Sequence, residues 1–66
     1  MERNIRLDWK SLVEEAVKRR NEQKLTQKKL AVLAGLSGPT VNAFEHQRTS
    51  ITLESALKIL KCLGMA

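Results

Sequence analysis

Few side chains in this 66-residue sequence have the types and spacing that reaction chemistry requires. Cys62 is the only cysteine and His46 the only histidine, so the sequence offers no intramolecular disulfide, no zinc ligand set and no cysteine–histidine pair. It also lacks a serine–histidine–aspartate set and a glycine-rich phosphate loop. The adjacent carboxylates Glu14 and Glu15 would point in different directions on a helix, so they do not form a catalytic dyad. We therefore expect no enzyme activity, no metal and no cofactor.

The basic side chains suit a different chemistry, the binding of a polyanion. Twelve lysines and arginines against seven acidic residues give a net charge of +5 and a pI near 9.9. This balance favours nucleic acid or an anionic membrane surface as partner, although many small proteins are basic without such a partner. No apolar run is long enough to span a membrane, and the polar start MERNIRLDWK is unlike a signal peptide. We expect a cytoplasmic protein without membrane contact.

Helical periodicity runs along the sequence and predicts four helices and no strand. The expected N-caps are Asp8, Thr26, Ser37 and Thr52, and the expected glycines at helix ends are Gly35 and Gly64. The residues expected to face inward are Trp9, Leu12, Val13, Ala16 and Val17 in the first helix, Leu30, Ala31, Leu33 and Ala34 in the second, Val41 and Phe44 in the third, and Leu53, Ala56, Leu57, Leu60 and Leu63 in the fourth. Since this core is small, we expect one domain, residues 1–66 with a core at about 9–64, that dimerisation stabilises further. Since two residues follow Gly64, we expect no fifth helix.

The segment from Leu25 to Glu45 has the pattern of a helix-turn-helix. This motif needs a small residue where two short helices touch, a turn residue that tolerates positive φ, and apolar residues beneath the second helix. Ala31 is the small residue and Gly35 the turn residue. The apolar residues are Leu36, Val41 and Phe44.

These residues resemble the Cro/cI-type (XRE) helix-turn-helix family of phage repressors, restriction controllers and HipB-like antitoxins. The matching strings are LTQKKLAVLAGLSGPTVNAFE, residues 25–45, and ITLESALKILKCLG, residues 51–64. The resemblance implies an all-α, compact four-helix fold of the lambda-repressor type, or one derived from five helices, with the helix-turn-helix at its centre. It also implies a sequence-specific transcriptional regulator that binds double-stranded DNA, in the first instance a repressor that binds an inverted repeat as a homodimer.

The resemblance places the third helix in the DNA major groove, where each base pair displays a distinct pattern of donors and acceptors. The family's base-reading positions correspond to Gly38, Pro39, Asn42 and Ala43. Asn42 can bond adenine, Ala43 can touch a thymine methyl group, and Thr40 can contact a base or a phosphate. Because the other two positions lack a side-chain donor, DNA shape or the loop after the helix is expected to contribute to specificity.

Phosphate contacts are expected at two places. Gln27 begins the second helix, where free N–H groups and the helix dipole favour an anion, and the family's residue at this position bonds a phosphate. Lys28, beside it, is the lysine most suited to join this contact, although lysine is also the ordinary surface residue. The second place is the end of the third helix and the polar loop after it, at Gln47, Arg48 and Thr49.

Several residues are expected to have structural roles instead. Arg20 and Glu45 match family positions that form a partly buried ion pair between the first and third helices. Trp9 is expected to anchor the core, because a base-stacking surface needs several exposed aromatic side chains. The dimer surface is expected on the fourth helix and the C-terminal residues, including Leu60, Leu63 and Met65.

The alternative function is that of an antitoxin, which would bind a toxin protein and also repress its own operon. The string TLESALKILKCLGM resembles the fourth helix of HipB-type antitoxins, which lies near their dimer contact. A short tail weighs against a separate toxin-binding segment. A toxin gene beside this one would favour the antitoxin, and a phage lysogeny region would favour a repressor. A basic helix on a membrane surface is a weaker alternative, because residues 18–20 have no exposed apolar face beside them.

Overall fold

The structure, a computed structural model, describes residues 8–66, and within that range it contains four helices and no strand. The helices are α1 (Trp9–Glu22), α2 (Gln27–Ala34), α3 (Gly38–Glu45) and α4 (Leu53–Cys62). α2 packs against α3 and α4, and α3 also packs against α1 and α4. The all-α fold with a central helix-turn-helix is therefore confirmed.

Each helix begins at the N-cap that the sequence predicts. The side-chain oxygens of the four caps, Asp8, Thr26, Ser37 and Thr52, accept hydrogen bonds from backbone N–H groups of the first turn. Pro39 lies in the first turn of α3, where its missing N–H would have no intrahelical partner. The caps matter most for α2 and α3, because helices of eight residues are too short to be stable alone.

All four helices end at a left-handed residue that turns the chain back over the last turn. Gly35 (φ 71°) and Gly64 (φ 77°) have this conformation, as the sequence predicts. Lys24 (φ 60°) and Gln47 (φ 63°) share it although neither is glycine. The residue after each of them donates its N–H to the carbonyl five positions earlier, which satisfies an otherwise unpaired carbonyl of the last turn.

Replacement of Gly35 by alanine is expected to lower the free energy of unfolding by about 1–2 kcal/mol, because a Cβ is unfavourable at a left-handed position. Gly38→Ala is the matched control. A Cβ at Gly38 would meet no atom within 4 Å, and Gly38 is helical, so alanine should be neutral or stabilising by up to about 1 kcal/mol. Urea unfolding followed by circular dichroism measures both variants, and equal losses at the two glycines would contradict the turn assignment.

The core lies where the four helices meet, and its buried residues are all apolar in the described range. They are Val13 and Ala16 of α1, Leu30, Ala31 and Ala34 of α2, Val41 and Phe44 of α3, and Ala56, Ile59 and Leu60 of α4, followed by Leu63. Trp9 meets Phe44 edge to face, with ring centroids 5.4 Å apart and planes at 89°. Trp9 thus packs against the core as predicted.

Three leucines predicted to face inward are exposed instead: Leu33 (55%), Leu53 (75%) and Leu57 (39%). The buried residues of α2 form an arc whose centre lies about 110° from Leu33 around the helix. The buried face of α4 includes Ile59, which was not among the residues predicted to face inward. The centre of this buried face lies about 110° from Leu57 around the helix. Both helices carry more apolar residues than their neighbours cover, so spacing alone does not identify which edge is buried.

The predicted dimer surface also needs correction. Leu60 (7% exposed) and Leu63 (2%) are buried in the protein's own core, so they are not available to a second copy. Met65 is half-buried. The large apolar side chains that α4 does expose are Leu53 and Leu57, four residues apart on one side of the helix.

Candidate nucleic-acid interface

A concavity lies between the N-terminal ends of α2 and α3, the two helices of the helix-turn-helix. Its lining residues are Gln27 and Lys28 of α2 and Gly38, Pro39 and Asn42 of α3. These five are half of the ten residues that are predicted from the sequence to contact DNA. The first turn of α2 contains no acidic residue, so its free N–H groups and the charge of Lys28 favour an anion at this point.

The outward side of α3 lies opposite its buried residue Val41. Pro39 and Ala43 are each two positions from Val41, about 200° around the helix, so they lie near the middle of this side. Asn42 is exposed beside them, and Ala43 is half-buried. The exposed side of α3 near its start therefore offers one amide among groups that have no side-chain donor.

Thr40 contacts its own helix cap. Its Oγ1 lies 2.8 Å from Ser37 Oγ, and its backbone N–H donates to the same oxygen at 3.2 Å. The side chain is half-buried. Thr40 therefore contributes to the start of α3, a role that its position in the sequence does not reveal. Either hydroxyl can donate in this contact, and where Ser37 donates, the Thr40 hydroxyl keeps its own hydrogen for a base or a phosphate.

The remaining predicted contacts, Gln47, Arg48 and Thr49, lie in the turn after α3 and do not line the concavity. All three are exposed. Thr49 instead lines a separate groove with Trp9. The fold thus divides the predicted site residues between the two ends of α3.

A partly buried ion pair joins α1 to α3. Arg20 Nε donates to Glu45 Oε2 at 2.6 Å, and Arg20 Nη2 donates to Glu45 Oε1 at 3.1 Å. Arg20 Nη1 also donates to the Leu25 carbonyl at 2.7 Å. The two side chains are only 14% and 8% exposed. The predicted pair is confirmed, and its bidentate geometry makes it a strong contact.

The hydrogen bonds continue from this pair to two residues of the concavity. Gln27 Nε2 donates to Glu45 Oε1 at 2.9 Å, and Asn42 Nδ2 donates to Gln27 Oε1 at 3.2 Å. We call Arg20, Glu45, Gln27 and Asn42 the amide relay. No sequence pattern indicates the two bonds made by Gln27, because its partners Glu45 and Asn42 lie 18 and 15 residues away on another helix.

Other side chains with chemical potential lie outside the concavity. Cys62 is half-buried at the end of α4, and His46 is exposed after α3. Within residues 8–66, no group of three histidine, cysteine or acidic residues lies close enough to hold a metal ion. None of the helices in that range is long and apolar enough to cross a membrane.

Comparison with known proteins identifies the family. A family model described as helix-turn-helix, of the Cro/cI (XRE) type, matches residues 18–66, which include Arg20, all of α2, α3 and α4, and every residue of the concavity. No curated protein matches the sequence. The chain belongs to the Cro/cI-type (XRE) helix-turn-helix family of DNA-binding transcription regulators.

Proposed function

We propose that this protein represses transcription by occupying an operator as a homodimer. The α3 helices of two copies would enter the major groove one turn of DNA apart on an inverted repeat and exclude RNA polymerase. The observation that carries this proposal is the concavity where Gln27, Lys28 and Asn42 converge. One place on the surface thereby combines groups suited to a phosphate with a group suited to a base edge.

The phosphate contacts fall at both ends of α3. At its start, Lys28 is exposed and Gln27 keeps one Nε2 hydrogen free after its bond to Glu45. At its end, the exposed residues Gln47, Arg48 and Thr49 offer donors to a second stretch of the DNA backbone. Contacts of this kind fix the protein's register on the duplex and supply much of its affinity.

The base contacts are few. Asn42 suits adenine and Ala43 suits a thymine methyl group, whereas Thr40 is partly engaged by Ser37. Gly38 and Pro39 allow the backbone of α3 to approach the DNA closely but provide no side-chain donor. A large share of the specificity is therefore assigned to DNA shape and deformability.

Dimerisation is supported by the exposed apolar side of α4. Leu53 and Leu57 are large apolar side chains that the monomer leaves at 75% and 39% exposure. Burial of such residues against a second copy would add to a core that is small for an independent domain. This assignment replaces Leu60 and Leu63, which are buried in the protein's own core.

The antitoxin alternative uses the same DNA-binding surface and adds a protein partner. Val32 (69% exposed) and Leu33 (55%) form a second exposed apolar pair, on α2, that a toxin could cover. A toxin gene beside this one would favour that function, and binding of the purified toxin that is lost in Val32→Ser with Leu33→Ser would establish it.

Substitution of Asn42 by alanine tests the proposed base contact. We expect a loss of base preference at one position of each half-site worth about 1–3 kcal/mol, because a side chain that bonds a base edge discriminates between base pairs. Lys28→Ala is the matched control, and it should weaken binding to all duplexes alike. Fluorescence anisotropy with duplexes that vary at each position measures both effects. An unchanged preference in Asn42→Ala would assign specificity to shape or to the turn after α3.

A further inference from the structure

We infer that Gln27 determines the base preference at the position that Asn42 reads, by fixing the orientation of the Asn42 amide. This inference rests on the proposed DNA-binding function and deepens it. It assigns to Gln27 a role in specificity as well as the phosphate contact expected from its position. The preferred base is the one that needs one acceptor and one donor from Asn42, which is adenine.

The orientation is set first at Glu45. Its carboxylate is paired at both oxygens with Arg20 and is 8% exposed, so it can only accept hydrogen bonds. The Gln27 amide must therefore turn its NH₂ group, not its carbonyl, towards Glu45, as the 2.9 Å bond shows. A charged acceptor makes this bond stronger than a bond between two neutral amides.

The second amide follows from the first. Because the NH₂ group of Gln27 is bonded to Glu45, its Oε1 faces Asn42. This oxygen can only accept a hydrogen bond, so Asn42 must donate from Nδ2, which lies 3.2 Å from Gln27 Oε1. An isolated asparagine amide can exchange its oxygen and nitrogen by a half-turn, and only its hydrogen bonds decide between the two orientations. Asn42 is exposed, so packing against other residues does not fix the orientation of its amide.

The free groups of Asn42 are then defined. One Nδ2 hydrogen is used by Gln27, which leaves Oδ1 and the second Nδ2 hydrogen, and no hydrogen bond within residues 8–66 uses them. Adenine presents a donor (N6) and an acceptor (N7) in the major groove, which match these two groups. Guanine presents two acceptors, N7 and O6, and an amide would have to offer both of its N–H hydrogens to match them. The relay already occupies one of these hydrogens, so it disfavours guanine.

The test uses Gln27→Met, which keeps the length of the side chain and removes both amide groups. The base pair that Asn42 reads is identified first, as the position of the half-site at which Asn42→Ala abolishes the base preference. At that position we expect Gln27→Met to reduce the ratio of affinities for A and G by about two- to tenfold, the effect of one lost hydrogen bond. Lys28→Met, on the same turn of α2 but outside the relay, should leave the ratio unchanged.

The outcomes separate the inference from the proposed function. If the wild-type protein binds the operator and Gln27→Met weakens A and G duplexes equally, the inference is wrong and Gln27 is a phosphate contact alone. If the wild-type protein shows no preference among duplexes, the proposed function fails, and the inference fails with it. Should Gln27→Met not fold, nuclear Overhauser effects in the wild-type protein give the answer. Contacts between the Asn42 side-chain amide protons and the Gln27 side chain support the relay, and their absence contradicts it.

Discussion

Replacement of Arg20 by methionine is expected to lower the free energy of unfolding by about 3–5 kcal/mol, because it removes one partner of an ion pair that is mostly shielded from solvent. The loss would leave the Glu45 carboxylate, 8% exposed, without its countercharge and the Leu25 carbonyl without the Arg20 donor. Small domains have only a few kcal/mol of stability. We therefore expect Arg20→Met to be largely unfolded at 37 °C.

The neighbouring arginine provides the control. Arg19 Nε lies 3.1 Å from Glu15 Oε2, but these side chains are 41% and 43% exposed. Solvent screens such a pair, so Arg19→Met should lower the free energy of unfolding by less than about 1 kcal/mol. Both variants remove one positive charge and add one methionine. They differ in how far the acidic partner, Glu45 or Glu15, is buried and in how it is bonded. Urea titrations compare them, and similar losses in the two variants would rule out a special role for the buried pair.

The second large effect is expected in DNA binding. If a dimer neutralises about six phosphates, the logarithm of the association constant should fall with the logarithm of salt concentration with a slope of about −5. Between 50 and 200 mM salt this corresponds to a loss of affinity of about a thousandfold. The exposed cations Lys28, Lys29 and Arg48 lie on the helix-turn-helix or in the turn after it, where such contacts are proposed.

The variants separate this electrostatic contribution from base reading. Lys28→Ala should reduce the steepness of the salt dependence by about one unit for each phosphate contact it loses, and Asn42→Ala should leave the slope unchanged. Anisotropy titrations at four or more salt concentrations measure the slopes. A flat salt dependence in the wild-type protein would contradict the assignment of the basic surface to phosphate binding.

The sequence predicts the ends of the helices well because their causes are local. A cap such as Ser37 bonds a backbone N–H three residues away, and a glycine such as Gly35 relieves strain within its own backbone. The buried faces of α2 and α4 are less predictable, because they depend on which neighbours cover each edge. Leu33 and Leu57 have the right chemistry for a core, but their neighbours leave them 55% and 39% exposed.

The candidate DNA-binding site likewise combines features that the sequence predicts with features that depend on how the helices pack. Family resemblance is enough to name the residues of the concavity and the Arg20–Glu45 pair. It does not reveal that this pair continues through Gln27 to Asn42, because that connection requires three helices packed at a particular distance. Thr40 illustrates the converse, since its bond to Ser37 restricts a side chain that looks free in the sequence.

Selection of bound duplexes from a random pool by the wild-type protein tests the central claim most directly. We predict enrichment of an inverted repeat whose half-sites are centred about 10 base pairs apart, with an A·T pair at the position where Asn42→Ala loses its preference. Enrichment of no common sequence, or of a single half-site without a symmetric partner, would contradict the account of a dimeric, sequence-specific repressor.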